Sequence, residues 1–495
     1  MSDFMLGLQI FTQSPINWLI FFGGLIGGLV FGAIPGLNAI ILATILLPFT
    51  AYLQPEQAIM LLAVIYCSGV YGGAVTAILF NIPGSPENAP TAFDGYPMTL
   101  KGEAGKAIGA AVTCSAIGGT VSVLIMMVAT APIAGWAIRA FGPPEIFALI
   151  VFALTVSSAV GAKDLWRGWL SVGFGLLIAT IGTDAAGGLR RFDFGNAYLG
   201  AGIHFVPLIL GFFAVSEVLV QSRHIATGEY KAPKASLDFP SLREFWSVRI
   251  TMLRSVIIGF FAGLLPGIGA TLAAFLSYSE AVRWSKHPEK FGRGTLEGVV
   301  APETANNAAT GGAMIPLLAL GLPGGALTAV MVGAFQIHGM EPGPMVLVTS
   351  KELVWVVFVA MLFANISIFL LGWLETKTTV HLLRIPFGVL GPAILLVSVI
   401  GTYALRTLVI DVWVMFIAGI VGYFMRRSGY SMAGVVLGLI LGKIGESAWV
   451  KTMQMVDYSV IGLFQRPITA FLLVLAAISV VLSVRSELNR RGRSG

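Results

Sequence analysis

Cysteine and charge are both scarce in this sequence. Cys67 and Cys114 are the only two thiols among 495 residues, and both stand in apolar or small-residue surroundings. Neither a disulfide framework nor a thiolate metal cluster can be built from them, and they read as buried, inert groups. Charged residues make up 11% of the chain and hydrophobic residues 56%, where an ordinary soluble domain carries about 25% charged residues. A soluble globular protein is thereby excluded. No Lys or Arg precedes Lys101, so the N-terminus lacks the basic region of a cleaved signal peptide and its first span is expected to stay in the mature protein. There is no Walker motif, HExxH zinc site or GxSxG elbow, which leaves ATP hydrolysis and hydrolase chemistry without a visible home. The net charge of +6 is not a nucleic-acid signature, because the basic residues lie between apolar runs and no basic patch is interleaved with aromatics.

What the sequence has instead is a series of apolar runs close to the roughly 20 residues a helix needs to cross a bilayer. They fall near 18–34, 36–53, 57–81, 107–131, 144–160, 166–183 and 203–221, then near 255–282, 308–337, 354–374, 387–402, 408–425, 431–445 and 467–484. The 60 glycines and 24 prolines suit closely packed spans with interruptions. The chain reads as an all-α polytopic membrane protein. Its expected organisation is a first membrane repeat over 15–221, a cytoplasmic connector over 222–254, a second repeat over 255–462, an additional C-terminal transmembrane helix over 463–484 and a basic tail over 485–495.

The interruptions recur in order. GAIPGLN at Gly32–Asn38 returns as GLLPGIG at Gly263–Gly269, and YGGAVTAILFNIPG at Tyr71–Gly84 as TGGAMIPLLALGLPG at Thr310–Gly324, the Gly72-Gly73 pair matching Gly311-Gly312. Asp94-Gly95-Tyr96-Pro97 is echoed by His338-Gly339-Met340-Glu341-Pro342. Pro-Gly breaks a helix or ends it, giving broken helices or re-entrant hairpins. Free backbone at membrane depth is tolerated only beside protein or a polar cavity, so paired breaks point to a binding site.

Charge sets the orientation. Arg223, Lys231, Lys234, Arg243, Arg249 and Arg254 in the connector, with Arg485, Arg490, Arg491 and Arg493 in the tail, place both on the cytoplasmic side. A periplasmic N-terminus then makes the two repeats inverted in topology. Lys101, Lys106, Arg190-Arg191 and Arg426-Arg427 do not all fit a simple count.

Three stretches carry a resemblance: Asn81-Ile82-Pro83-Gly84, TAFDGYPMTLKGEAGKA at Thr91–Ala107, and APETANNAATGGAMIPLLALGLPG at Ala301–Gly324. Over roughly 15–460 the chain resembles the large membrane subunit of bacterial tripartite tricarboxylate transporters, the TctA family. The resemblance implies an ion-coupled secondary carrier of a citrate-like di- or tricarboxylate across the inner membrane. It implies a small TctB-like membrane subunit and a periplasmic TctC-like solute-binding protein as partners, with no cofactor beyond a coupling sodium ion or proton. An anion channel, or a carrier without a binding protein, is the alternative; a membrane-embedded enzyme lacks an acid pair or nucleophile dyad.

The breaks supply the expected substrate residues, because half-helix N-termini offer amides to a carboxylate. These are Pro35, Gly36, Asn38, Asn81, Pro83, Gly84, Ser85, Pro266, Gly267, Thr271, Pro323 and Gly324, each of which could equally serve close helix packing. Glu303, Asn306, Asn307 and Thr310 are the expected ion-coupling group, with Asn306 and Asn307 the candidate sodium ligands. Glu303 could instead cap a helix starting near Thr304. Asp94 reads as a turn residue, and His204, Glu217, Glu280 and Glu297 as interfacial or packing residues.

Overall fold

The computed structural model describes residues 3–34, 37–157, 164–184, 188–222, 239–265, 269–382 and 387–494. Proline at the first turn starts several helices, where its missing N–H costs nothing and its fixed φ suits the helix. Chain order in the first half runs α1 (Asp3–Gln13), α2 (Pro15–Ala33), α3 (Ala39–Leu46), α4 (Pro55–Phe80), α5 (Ala89–Leu100), α6 (Ala104–Ala140), α7 (Pro143–Ser157), α8 (Leu165–Ala179) and α9 (Phe205–Gln221). A two-residue β-pairing, Gly182–Thr183 with Arg190–Arg191, lies between the last two. The second half holds α10 (Leu242–Ser247), α11 (Arg249–Leu264), α12 (Gly269–Trp284), α13 (Leu296–Ile315), α14 (Ala326–Ile337), α15 (Lys351–Leu382), α16 (Phe387–Arg406), α17 (Val409–Arg427), α18 (Met432–Met455) and α19 (Pro467–Ser494). Among the described residues, 8 helices are long and apolar enough to cross a membrane. The protein is an all-α polytopic membrane protein.

Two helices form the centre, one from each half. In α4 nearly every residue from Ala58 to Leu79 is buried, and in α13 every residue from Gly298 to Ile315 is. The apolar run near 308 marks only the end of α13, which begins at Leu296 and carries Glu303, Asn306 and Asn307 inside the protein. Glu303 is therefore mid-helix and caps nothing. α13 packs on α6, α11 and α12, while α4 packs on α2 and α15. Cys67 and Cys114 are buried free thiols.

The same contacts recur in both halves. A Cβ at Gly72 would lie 2.6 Å from the Leu29 carbonyl oxygen and 3.2 Å from Gly32 Cα; one at Gly312 would lie 2.3 Å from the Phe260 oxygen and 3.1 Å from Gly263 Cα. α4 ends at Asn81 in the left-handed conformation (φ 58°), and the π-helical turn Pro316–Leu320 that prolongs α13 ends at left-handed Gly321 (φ 74°). Ile82 N–H then donates to Thr76 O at 3.4 Å and Leu322 N–H to Pro316 O at 3.0 Å. Gly72 thus matches Gly312, one residue off the alignment that paired it with Gly311; glycine-to-glycine helix contact fixes the register, and the identity of the neighbouring residue does not.

The Asp94-Gly95-Tyr96-Pro97 stretch is not a turn: it lies inside α5. The Asp94 carboxylate finds partners far along the chain, accepting from Gly294 and Thr295 N–H at 2.9 Å each and from the Tyr278 hydroxyl at 2.8 Å. Asp94 thereby caps α13 from another helix, and a local turn bond is outcompeted. Its supposed echo, His338–Pro342, follows the end of α14 and has no helical counterpart of that kind.

Candidate functional site

The break after α4 opens onto a cavity of about 850 Å³. Asn38, Pro83, Gly84 and Ser85 lie in its lining together with Glu217, Arg426 and Arg427. Asn38 is the N-cap of α3, its Oδ1 accepting from Ile41 N–H at 3.0 Å, so its side chain starts that half-helix as well as lining the space. Gly84 needs to be glycine here: a Cβ would sit 2.0 Å from the Gly32 carbonyl oxygen and 2.7 Å from Gly73 Cα. The turn after α4 is thus pressed against the end of α2, and this brings Ser85 and Asn38 to one cavity.

Behind Ser85 stands a polar cluster closed off from solvent. The Ser85 hydroxyl donates to Asn88 Oδ1 at 2.6 Å, and Asn88 Nδ2 donates to Glu303 Oε1 at 3.1 Å and to Val70 O at 2.9 Å. Glu303 is fully buried and takes three further donors: Thr91 O–H at 2.5 Å and Asn306 Nδ2 at 3.4 Å on Oε1, and Ser115 O–H at 3.0 Å on Oε2. All of these donors are neutral. None of the ion pairs among the described residues includes Glu303. A carboxyl held in low dielectric by neutral groups alone responds strongly to a proton or a small cation.

The tripartite tricarboxylate transporter TctA family model matches residues 18–437. The chain belongs to this family. It is 36% identical over 490 residues, 98% of this chain and 97% of the relative, to an uncharacterized 52.8 kDa protein in the TAR-I ttuC' 3' region of Agrobacterium vitis. It is 37% identical over 233 residues, 46% of this chain and 96% of the relative, to an uncharacterized protein in the TAR-II ttuC' 3' region of the same organism. No solved structure matches. TctA is a transporter family, so the breaks and the buried carboxyl are read for transport chemistry.

The remaining expected residues of this TctA chain spread over several places. Pro35, Gly36, Pro266 and Gly267 lie outside the described residues. Asn81 is the exposed left-handed cap of α4. Thr271 lies in α12, which packs on the Pro86–Asn88 turn that follows Ser85, so the break of one half touches a helix of the other. Pro323 and Gly324 are buried, Gly324 packs on Ala313, and neither lines the cavity beside Ser85. Thr310 donates to Asn307 O at 2.7 Å. Asn307 Nδ2 donates to Asn306 Oδ1 at 2.9 Å and to Glu303 O at 3.2 Å, while Asn307 Oδ1 is buried with no partner. That orphaned oxygen is an amide acceptor with both lone pairs available to a cation. Among the described residues no group of three or more His, Cys, Asp and Glu could hold a metal ion.

Sequence reasoning did not find Asn88, Thr91 and Ser115 as partners of Glu303, nor Arg426 as part of the cavity. Thr91 lies in a stretch of the family motif, which was a usable signal; Ser115 sits in a run of small residues that gave none. Glu217, expected as an interfacial or packing residue, is largely buried against Arg426.

Proposed function

We propose that this chain is the large permease subunit of a binding-protein-dependent system that takes up a di- or tricarboxylate across a bacterial inner membrane, driven by sodium or protons. The observation that carries the reading is the relay from the cavity to the buried carboxyl: Ser85 on the cavity wall, Asn88 behind it, Glu303 at the end. A substrate carboxylate at Ser85 and a proton or cation at Glu303 would each be sensed by the other through two hydrogen bonds. A multiply charged anion in a low-dielectric cavity needs such compensation, and a co-transported cation supplies it.

On this reading Asn38, Pro83, Gly84 and Ser85 hold the anion, Glu303 with Asn306, Asn307 and Thr310 carries the coupling ion, and the second-half residues Thr271, Pro323 and Gly324 complete the passage. A TctB-like small membrane subunit and a periplasmic TctC-like binding protein are the partners, with the N-terminus periplasmic, the C-terminus cytoplasmic and the two halves inverted. The test is citrate uptake by proteoliposomes holding the permease and its small subunit, with and without the binding protein, under sodium and proton gradients imposed separately. Saturable uptake that one gradient drives uphill is expected. Uptake that never exceeds the electrochemical equilibrium of the anion and does not saturate would show a channel.

A further inference from the structure

We propose that Arg426 is the residue that receives a substrate carboxylate and that Glu217 is its exchangeable internal counter-ion. The inference rests on the carrier reading above and names the anchor of that site. Arg426 lies at the end of α17 and Glu217 on the last turns of α9, and both line the cavity that holds Asn38 and Ser85. Their helices are locked side by side: a Cβ at Gly211 of α9 would meet the Met415 oxygen at 2.4 Å, and one at Gly419 of α17 would meet Val215 at 2.3 Å. The pair thus has a fixed position on the wall facing the first-half break.

The bonding within the pair is incomplete in a specific way. Arg426 Nη1 donates to Glu217 Oε2, and Gln221 Nε2 donates to Glu217 Oε1 at 2.9 Å. Arg426 Nε is buried without an acceptor. A guanidinium presents Nε–H and one Nη2–H side by side along one edge, and that edge matches the two oxygens of a carboxylate. Glu217 uses only the nitrogen outside that edge. A buried donor left without an acceptor on a half-buried cation is unfavourable, so a ligand that supplies two oxygens relieves a cost already present in the protein. Arg427, also in the lining, has no acidic partner among the described residues and adds a second positive charge for an anion of two or three charges. Arginine that merely bridges α9 to α17 would need neither an unpaired edge nor a place on this cavity.

Citrate binding to the full purified chain in nanodiscs, measured by calorimetry beside a melting curve, tests this. Arg426→Lys keeps the charge and a single bond to Glu217 but has no side-on edge, so citrate binding should weaken by about 10-fold or more with little change in melting. Glu217→Gln, a weaker competitor for the guanidinium, should tighten it. The exchanged pair, Glu217→Arg with Arg426→Glu, restores an ion pair between the helices and should melt like the unsubstituted protein while failing to bind. Binding by Arg426→Lys within about 2-fold of the unsubstituted chain, weaker binding in Glu217→Gln, or full binding by the exchanged pair would each overturn the assignment. The Glu217→Gln result decides alone if Arg426→Lys does not fold. If the unsubstituted chain binds neither citrate nor any of a panel of di- and tricarboxylates, the carrier reading itself fails and this inference falls with it.

Discussion

Replacing Glu303 by Gln separates the ion-sensing role of this carboxyl from its structural one. Oε1 accepts from Thr91 at 2.5 Å, Asn88 at 3.1 Å and Asn306 at 3.4 Å, while Oε2 accepts from Ser115 at 3.0 Å. A glutamine with its oxygen in the Oε1 position keeps the first three bonds. Its amide nitrogen then faces Ser115, whose hydroxyl can turn and accept. Bonds to a charged acceptor are worth about 1.5–3 kcal/mol and those to a neutral one about 0.5–1.5 kcal/mol, so three retained bonds lose a few kcal/mol between them. Burying a carboxylate costs several kcal/mol, and the amide is spared that cost. The two changes oppose each other at similar size, so Glu303→Gln should fold with a net change within about 1–2 kcal/mol. Glu303→Ala removes every acceptor and leaves a cavity, at a cost of about 3–5 kcal/mol. The assay compares initial citrate uptake with and without each ion gradient in proteoliposomes, beside exchange of internal for external citrate with no gradient. For Glu303→Gln the driving gradient should no longer accelerate uptake, while exchange persists. Wild-type gradient dependence in this variant, at normal membrane abundance, would make the carboxyl a structural group and refute the coupling role.

Further expectations come from other parts of the molecule. Gly84→Ala places a methyl 2.0 Å from the Gly32 oxygen and 2.7 Å from Gly73 Cα, backbone against backbone, so it should destabilise by at least about 1–3 kcal/mol in a melting assay. Gly135→Ala meets nothing within 4 Å and should be neutral or stabilising by up to about 1 kcal/mol. Asp94→Ala removes the acceptor of Gly294 and Thr295 N–H and should cost about 1–2 kcal/mol, the usual worth of a helix cap, whereas Asp94→Asn retains one oxygen for those amides and should cost less. The Lys106 ammonium and the Ser241 cap hold the Glu244 carboxyl down at about 2, below its ordinary 4.5. A depressed carboxyl contributes fully above its unfolded value, so the protection of α10 against hydrogen exchange, taken relative to the intrinsic amide rate at each pH, should be flat from about pH 5 upward and fall as the pH drops from about 4.5 through about 2, a fall that Glu244→Gln should abolish.

The spans were legible because hydropathy over some 20 residues dominates their placement; α4, α8 and α19 fall close to where their apolar runs do. The Pro83-Gly84 and Pro323-Gly324 breaks were legible for the same local reason, since proline removes a donor wherever it stands. The start of α13 was not. Leu296 to Thr310 reads as too polar for a buried helix, and it is buried because its polar groups are met from the other half: Thr91 reaches Glu303 across 212 residues of sequence and Asn88 across 215. Pairings at such separations leave no period in the chain. The same holds for Arg426 and Glu217, 209 residues apart, each of which alone resembles an ordinary residue at the end of a span. Asp94 misled for the opposite reason: Asp-Gly and Pro together are a strong local turn signal, and three bonds from elsewhere override it.

One backbone solution serves two chemistries in the two breaks. Asn81 and Gly321 share the left-handed conformation, and Ser85 and Gly325 the extended one that follows. At Gly325 the turn closes on itself, its N–H donating to Thr328 Oγ1 at 2.8 Å. At Ser85 the hydroxyl likewise reaches three residues on, to Asn88, but from there the bonds continue through Glu303 and Asn306 to Asn307. The polar groups of the first break are thus wired to the helix that precedes the second. Serine has a single hydroxyl proton. On the proposed reading, a carboxylate arriving in the cavity takes that proton from Asn88 Oδ1 and leaves a buried acceptor unmet, which is unfavourable by about 1–3 kcal/mol. If Asn88 turns its amide to give Ser85 an N–H, it withdraws one from Glu303 and sets its Oδ1 opposite Glu303 Oε1, where a proton on the carboxyl would meet both oxygens. A carboxyl that loses a donor in a dry site binds a proton or a cation more readily. Substrate and ion are then coupled at the first step by the donor count of one serine and one asparagine, before any helix moves.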